Sequence, residues 1–469
     1  MLFSSIIFLW LFLPITFFLY RIVPQKGKNF FLLIMSFLFY FWGGIEYGII
    51  LLISIVVNYF VGLAIDKLRT NSTLCKSCFV GGILLNLLFL FYYKYFVFFA
   101  KSILLLIGKT EVVLEDVELP LGISFYTFQA LSYLIDLYKE KIDVQKNPIR
   151  LALYIAFFPQ LIAGPIVKYI DISNQIENRT LSHIQTATGI RRFSYGLAKK
   201  VIVANSMAYI ADMIFNTHVD GISSAMAWIG AIAYSLQIYF DFSGYSDMAI
   251  GLGKMFGFDF AENFNMPYMA KSISDFWRRW HISMTSWFRE YIYIPLGGNR
   301  LGLYRTLANT MIVFAVTGLW HGANYTFIVW GLLNGLLIVI ERCGLADFLE
   351  NDKVGILRHA YTLLLVIIGW VFFRADNLQY AFAFIGRMFS CSVPQVMGVT
   401  WYEILNTKNI LICIVAVLGS GVHKSLLEKT KLCRLKNSWL ETVYCGLLFL
   451  TSIILLISDT YNPFIYFRF

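Results

Sequence analysis

Scanned in windows of about 20 residues, the length that crosses a bilayer as a helix, the chain alternates long apolar runs with short polar breaks over its whole length. The runs lie near residues 4–20, 30–42, 46–65, 78–106, 121–138, 150–167, 187–213, 223–251, 304–321, 323–341, 356–374, 407–422 and 438–458. The pattern predicts an all-α, polytopic integral membrane protein with about eleven transmembrane helices plus one or two re-entrant segments. The re-entrant pieces fall where a run is too short or broken. Asn29 to Trp42 is short, and Tyr154 to Val167 contains Pro159, Gly164 and Pro165. Irregular backbone survives at membrane depth when protein buries it or it lines a cavity. The first run has no basic residue before it and no small-residue cleavage pattern after it, so it reads as a membrane helix and not as a signal peptide. The runs leave no space for a soluble domain. The expectation is one membrane domain over residues 1–469, ending in a short aromatic tail at 462–469.

The polar breaks carry orientation. Basic loops follow the first run (Arg21, Lys26, Lys28), surround Leu68 (Lys67, Arg69, Lys76) and follow Tyr138 (Lys139, Lys141, Lys146, Arg150). An acidic segment with Glu111, Glu115, Asp116 and Glu118 lies between the last two. The positive-inside rule assigns the basic loops to the cytoplasm and the acidic one, with the first residue, to the outside. Composition agrees: 58% of residues are hydrophobic and 14% charged, where a soluble domain carries about 25% charges. The formal charge of +10 is accounted for by loop bias, so nucleic acid is not expected as a partner. Cys75 and Cys78 form a lone CxxC with no second pair or nearby histidine, and it reads as reduced thiols, not a metal site. No internal repeat supports an inverted-repeat transporter.

Polar groups inside apolar runs are costly and are functional candidates for that reason. Three clusters qualify. Between Tyr234 and Asp247, the residues Tyr234, Gln237, Asp241 and Tyr245 share one helical face, which must meet a cavity or other helices. A second cluster runs from Asp275 through Trp277, Arg278, Arg279, Trp280 and His281 to Tyr291, followed by a Pro295–Gly298 turn. Trp277 and the arginines read as interfacial there, which leaves His281 unexplained. In the third, Thr317 to Asn324, His321 sits with Trp320 and Asn324 between two strongly apolar runs. Histidine is the natural general base near neutral pH. The other four histidines, His183, His218, His359 and His423, lie at loop or helix-end positions.

At these residues the chain resembles the membrane-bound O-acyltransferase family, in particular its bacterial alginate O-acetyltransferase-like branch. The start Met1–Ser5, the stretches Leu119-Pro120-Leu121-Gly122-Ile123-Ser124-Phe125-Tyr126-Thr127-Phe128-Gln129 and Phe158-Pro159-Gln160-Leu161-Ile162-Ala163-Gly164-Pro165-Ile166, and the three clusters carry the likeness. The resemblance implies helices around a central tunnel, with a catalytic histidine matching His321 and the family's second histidine matching His281. Tyr234, Gln237, Asp241, Tyr245, Trp320 and Asn324 are then expected to line the tunnel. It implies no bound cofactor or metal, and a cytoplasmic thioester donor, acetyl-CoA, as co-substrate. The implied product is an O-acetylated extracytoplasmic polysaccharide or peptidoglycan, completed by an exported, SGNH-type partner transferase. The implied location is the bacterial inner membrane. His321 would take the proton of the attacking hydroxyl, with His281 or Asn324 as donor to the oxyanion. Arg278, Arg279, Lys199 and Lys200, with Arg191 and Arg192, are candidates for the donor's phosphates, or else solvated cytoplasmic charges.

The tail Asn462-Pro463-Phe464-Ile465-Tyr466-Phe467-Arg468-Phe469 reads as an interfacial anchor by its residues. By resemblance it is similar to a terminal motif in which a tyrosine, here Tyr466, relays the acyl group covalently. Two alternatives stay open: D-alanyl transfer from a carrier protein to teichoic acid, and a transporter or flippase coupled through Asp241 and His321.

Overall fold

The computed structural model describes residues 1–109, 114–115, 117–162, 164–350, 355–391, 398–422 and 439–465, with the side chain of residue 350 excepted. Among these the chain is helical, with no strand. Five helical segments are long and apolar enough to cross a membrane: Ile45–Lys67, Ser72–Leu106, Tyr325–Leu349, Leu357–Arg374 and Trp439–Ser458. Phe8–Ile22 and Thr407–Gly421 are shorter apolar helices. Their outward faces fit lipid. On Trp439–Ser458 the exposed residues include Leu440, Val443, Tyr444, Leu447, Leu450, Ile454 and Ile457, an apolar surface that water would not tolerate.

The chain divides into two compact units, residues 1–193 with 247–261, and residues 194–246 with 262–469. In the first, Phe8, Phe12, Phe39 and Phe158 form an aromatic cluster, with Phe12 and Phe158 edge to face at 5.3 Å. Two buried asparagines, Asn58 and Asn86, exchange amide hydrogen bonds of 3.0 and 2.8 Å between Ile45–Lys67 and Ser72–Leu90. Such bonds satisfy groups that lipid would leave unpaired. The run near 150–167 is broken, as its prolines predict: Pro148–Ala156 stops at Phe157 and a short helix, Phe158–Leu161, follows. Gly122 begins Ile123–Tyr138 from a left-handed φ of 77°. A Cβ there would lie 2.4 Å from the Leu161 carbonyl oxygen, so the glycine serves a close backbone approach. Arg192 binds Asp247 at 2.6 Å, which occupies one of the cations considered for the donor.

In the second unit, Leu303–His321 and Tyr325–Ile340 form a tight antiparallel pair. Gly318 and Gly331 face each other: a Cβ on Gly331 would be 2.3 Å from the Phe314 carbonyl and 2.9 Å from Gly318 Cα. Small residues permit this backbone approach, the usual way helices pack in lipid. Short helices Ile273–Arg279 and Ile282–Phe288 carry the second histidine region.

Candidate active site

His321 ends the Leu303–His321 helix, and the chain turns through extended Gly322 into Asn324, the cap of Tyr325–Ile340. A Cβ at Gly322 would overlap the Phe327 ring at 2.3 Å, so this turn is tight by packing. The imidazole is half-buried and held between two rings, Trp330 at 5.2 Å and Phe373 at 5.1 Å, both steeply inclined to it. Trp330 stacks on Trp370 at 5.8 Å, and Trp370 meets Trp280 at 4.9 Å. Ile238, Phe242, Trp280, His321, Trp330, Trp370, Phe373 and Ile465 enclose a narrow cavity of about 10 Å³. His321 is the titratable group in that lining.

His281 is 2% exposed and adopts a left-handed backbone, φ 45° and ψ 54°, between Ile273–Arg279 and Ile282–Phe288. Non-glycine residues rarely hold this geometry, which costs on the order of 1 kcal/mol. The neighbourhood imposes it. Ile282 N–H donates to the Asn263 carbonyl at 2.9 Å, and Asn263 Oδ1 receives Ser283 N–H at 3.2 Å and Ser283 Oγ at 2.8 Å. A backbone N–H can only donate, so the Asn263 atom it meets is the carbonyl oxygen. His281 Nδ1, 3.0 Å from the same oxygen, must then carry the proton. In the neutral ring Nε2 keeps its lone pair.

Burial foremost, and then the charge of His321, hold the His281 pKa well below the ordinary 6.5. Its ring lies edge to face on Phe242 at 4.6 Å, and Phe242 is itself a wall of the His321 cavity. With Nδ1 turned to Asn263, Nε2 is the ring nitrogen left to face other groups. The depressed pKa has a stability consequence. Above pH 6.5 neither folded nor unfolded chain protonates this ring. As pH falls below 6.5 the unfolded chain gains a proton that the folded chain refuses, so stability declines. We expect the thermal midpoint of the protein in lipid to drop between pH 7 and 5, with a shallower drop in His281→Gln.

Asn324 is committed to structure. Its Oδ1 accepts from Thr326 N–H at 3.1 Å and its Nδ2 donates to the Asp376 carbonyl at 2.9 Å. Trp320 is half-buried and does not line the His321 cavity. From the polar face of Ser224–Met255, Tyr234, Gln237, Asp241 and Tyr245 are all buried, but Ile238 and Phe242 wall the cavity instead. Trp277 is buried, not interfacial: it is 4% exposed and its indole N–H donates to Asn334 Oδ1 at 3.1 Å.

A second, larger cavity of about 1300 Å³ is lined in part by Ile273–Arg279. Its lining includes Arg278, Arg279, Arg289, Arg300, Arg342 and Arg358, with Asp275 and Glu341. Arg279 is paired with Asp275 at 2.9 Å, and Arg342 donates to Tyr293 Oη and Thr310 Oγ1, each at 3.1 Å. Buried Glu341 takes the Ile273 N–H at 2.6 Å, the Ser274 N–H at 2.9 Å and the Ser274 hydroxyl at 2.6 Å, which fixes the start of Ile273–Arg279. Of the four cations weighed for the donor in the second unit, Arg278 and Arg279 line this cavity and Lys199 and Lys200 do not. Lys200 is 1% exposed and lies 2.9 Å from Asp241. Tyr466 lies outside the described residues.

Asn263, Trp370 and Phe373 carry no local signal: Asn263 is polar in a polar segment, and the other two are apolar residues among many. Ile465 was visible only as a member of the aromatic tail.

The membrane-bound O-acyltransferase (MBOAT) family model matches residues 37–345. The chain is 38% identical to the "Probable alginate O-acetylase AlgI" of Pseudomonas putida, covering 100% of both chains. It is 35% identical to the "Peptidoglycan O-acetyltransferase" of Helicobacter pylori, covering 100% of this chain and 98% of the other. Likeness to the "Teichoic acid D-alanyltransferase" of Bacillus subtilis is 30% and spans only 46% of this chain and 58% of that one. A histidine-bearing helix pair, apolar spans and this degree of likeness over the full length agree: the chain belongs to the membrane-bound O-acyltransferase family and is an O-acyltransferase.

Proposed function

We propose that this protein moves an acetyl group from a cytoplasmic thioester, acetyl-CoA, toward a hydroxyl acceptor outside the cytoplasmic membrane, for O-acetylation of a polysaccharide or peptidoglycan. The observation that carries the proposal is that consecutive residues of one short region contribute to both cavities. Trp280, just past Ile273–Arg279, walls the His321 cavity, while Arg278 and Arg279 line the basic one. Phosphates suit the arginines, and the apolar rings around His321 suit chemistry kept away from water. The D-alanyl alternative has only the partial likeness to draw on.

The chemistry balances without a metal. His321 accepts the proton of an attacking hydroxyl as its oxygen adds to the thioester carbonyl, and the tetrahedral intermediate then expels the thiolate, which takes that proton. In the relay form the first hydroxyl is the Tyr466 phenol. A second attack, by the acceptor hydroxyl, frees the phenol and completes the ester. Tyr466 directly follows Ile465, a residue of the His321 cavity lining, and that adjacency supports the relay. An exported partner transferase would deliver the acetyl group to polymer. His281, neutral with Nε2 free to accept, is suited to hold the hydroxyl proton or the His321 ring in position.

The test is transfer from radiolabelled acetyl-CoA to the purified protein in lipid vesicles, in parallel with a D-alanyl-loaded carrier protein. Turnover of acetyl-CoA supports the proposal. Turnover of the carrier protein alone would replace it with D-alanyl transfer, and transport flux without thioester turnover would replace it with a transporter. Label held by the wild type and lost in Tyr466→Phe marks the relay, whereas label unchanged in Tyr466→Phe removes it. Arg278→Ala with Arg279→Ala is expected to raise KM for acetyl-CoA by about tenfold, since lost charge-assisted bonds to phosphate weaken binding. Little change in kcat is expected, measured by initial rates at two ionic strengths.

A further inference from the structure

We infer that Lys200 and Asp241 are positioning residues that hold the C-terminal segment by its backbone and thereby set one wall of the His321 cavity. The functional part of this inference rests on the acyltransfer reading above. Both side chains are 1% exposed, with Nζ and Oδ1 2.9 Å apart. Burying two charges costs desolvation that their attraction offsets only when their remaining hydrogen-bonding capacity is also used. Here the chain's own tail uses it. Lys200 Nζ donates to the Pro463 carbonyl, and Asp241 Oδ2 accepts the Ile465 N–H at 2.9 Å.

The segment between and beside these contacts is buried as well. Phe464 is 5% exposed with its ring 4.2 Å from that of Tyr245, and Ile465 is 3% exposed and lines the cavity. Upstream, Asn205 Nδ2 donates to Asn462 Oδ1 at 3.2 Å, and the Tyr461 hydroxyl donates to Asp212 at 2.5 Å. Asp212 is itself paired with Arg374 at 2.7 Å. An interfacial anchor would place rings at headgroup level. This segment is instead drawn into the protein and bound at its backbone by charges.

The clamp has a polarity. A cation can satisfy only a carbonyl and an anion only an N–H, so exchanging the two side chains preserves the ion pair but sets each charge against the wrong backbone group. That separates a tail clamp from an ordinary buried salt bridge. The chemistry recognised is internal: two consecutive peptide groups that flank one aromatic residue, Phe464.

The test compares full-length wild type, Lys200→Arg, Lys200→Met, Asp241→Asn and the exchange Lys200→Asp with Asp241→Lys, each in lipid nanodiscs. Three quantities are read: removal of Ile465 and Phe464 by carboxypeptidase, from intact mass; the thermal midpoint; and acetyl transfer from acetyl-CoA. We expect digestion of wild type and Lys200→Arg to stop at or before Ile465. In Lys200→Met, Asp241→Asn and the exchange, Ile465 and Phe464 should be removed at least tenfold faster. Transfer in those three should fall at least tenfold in kcat at an unchanged KM for acetyl-CoA. Protection and transfer restored by the exchange would overturn the inference, as would full protection in the single variants or wild-type transfer from an unclamped tail. The exchange retains both charges, so the test stands even where a single neutralisation prevents folding. A wild type that shows the clamp but turns over no thioester supports the docking and takes down the acyltransfer reading alone.

Discussion

His321→Ala is expected to lower acetyl transfer by about 10²–10⁴-fold, the usual contribution of a positioned general base, while the thermal midpoint stays close to that of the wild type. Two features of the site set this expectation. The imidazole touches Trp330 and Phe373 from the end of its helix, and in the lining of that cavity it is the one group able to take a proton near neutral pH. The ring is half-buried, so its removal leaves a modest void. His281 does not line that cavity, and its Nδ1 is held by Asn263. Initial rates with acetyl-CoA in lipid, together with the thermal midpoint, decide the matter. Transfer within threefold of wild type would remove His321 from the chemistry.

Gly331→Leu is expected to destabilise the protein by on the order of 3 kcal/mol or more, at the upper end for overpacking a close contact. The obstacle is backbone, not a side chain that can rotate away. A Cβ would stand 2.3 Å from the Phe314 carbonyl oxygen and 2.9 Å from Gly318 Cα, so the two helices must separate. His321 lies one helical turn beyond Gly318 on the displaced helix, and activity should fall together with stability. Gly446→Leu is the matching control. Gly446 lies inside Trp439–Ser458 with nothing within 4 Å of an added Cβ, and leucine there is expected to be neutral or stabilising by about 0.5–1 kcal/mol through helix propensity. The two variants differ only in what the new side chain meets. Equal thermal midpoints in lipid would contradict the packing account.

Much of this was legible in the sequence because a bilayer imposes strict local rules. An apolar run long enough to span must be helical, so Ile45–Lys67 and Trp439–Ser458 follow from composition alone. Pro159 marks the break that the structure places at Phe157. His321 stood out because a titratable group between two apolar helices is rare. The arginines Arg278 and Arg279 were visible as a charged pair with Arg289 in the same cluster, though not Arg300, Arg342 and Arg358, which also line their cavity.

The residues read in order reveal the class: helices, membrane, a histidine at the edge of an apolar run, and a family signature spread along the chain. These depend on neighbours in sequence, where periodicity and run length act. Which groups meet is set by packing in three dimensions. Helical periodicity put Asp241 on a polar face, but its partners are Lys200 and the backbone at Ile465, 224 residues away. Lys200 looked like a free cytoplasmic cation and is a buried counter-ion. The protonation of His281 follows from Asn263, whose carbonyl is fixed by a third residue, Ser283. A charge or a hydrogen bond takes its meaning from whatever faces it across space, and in a helical membrane protein packing of distant segments sets that partner.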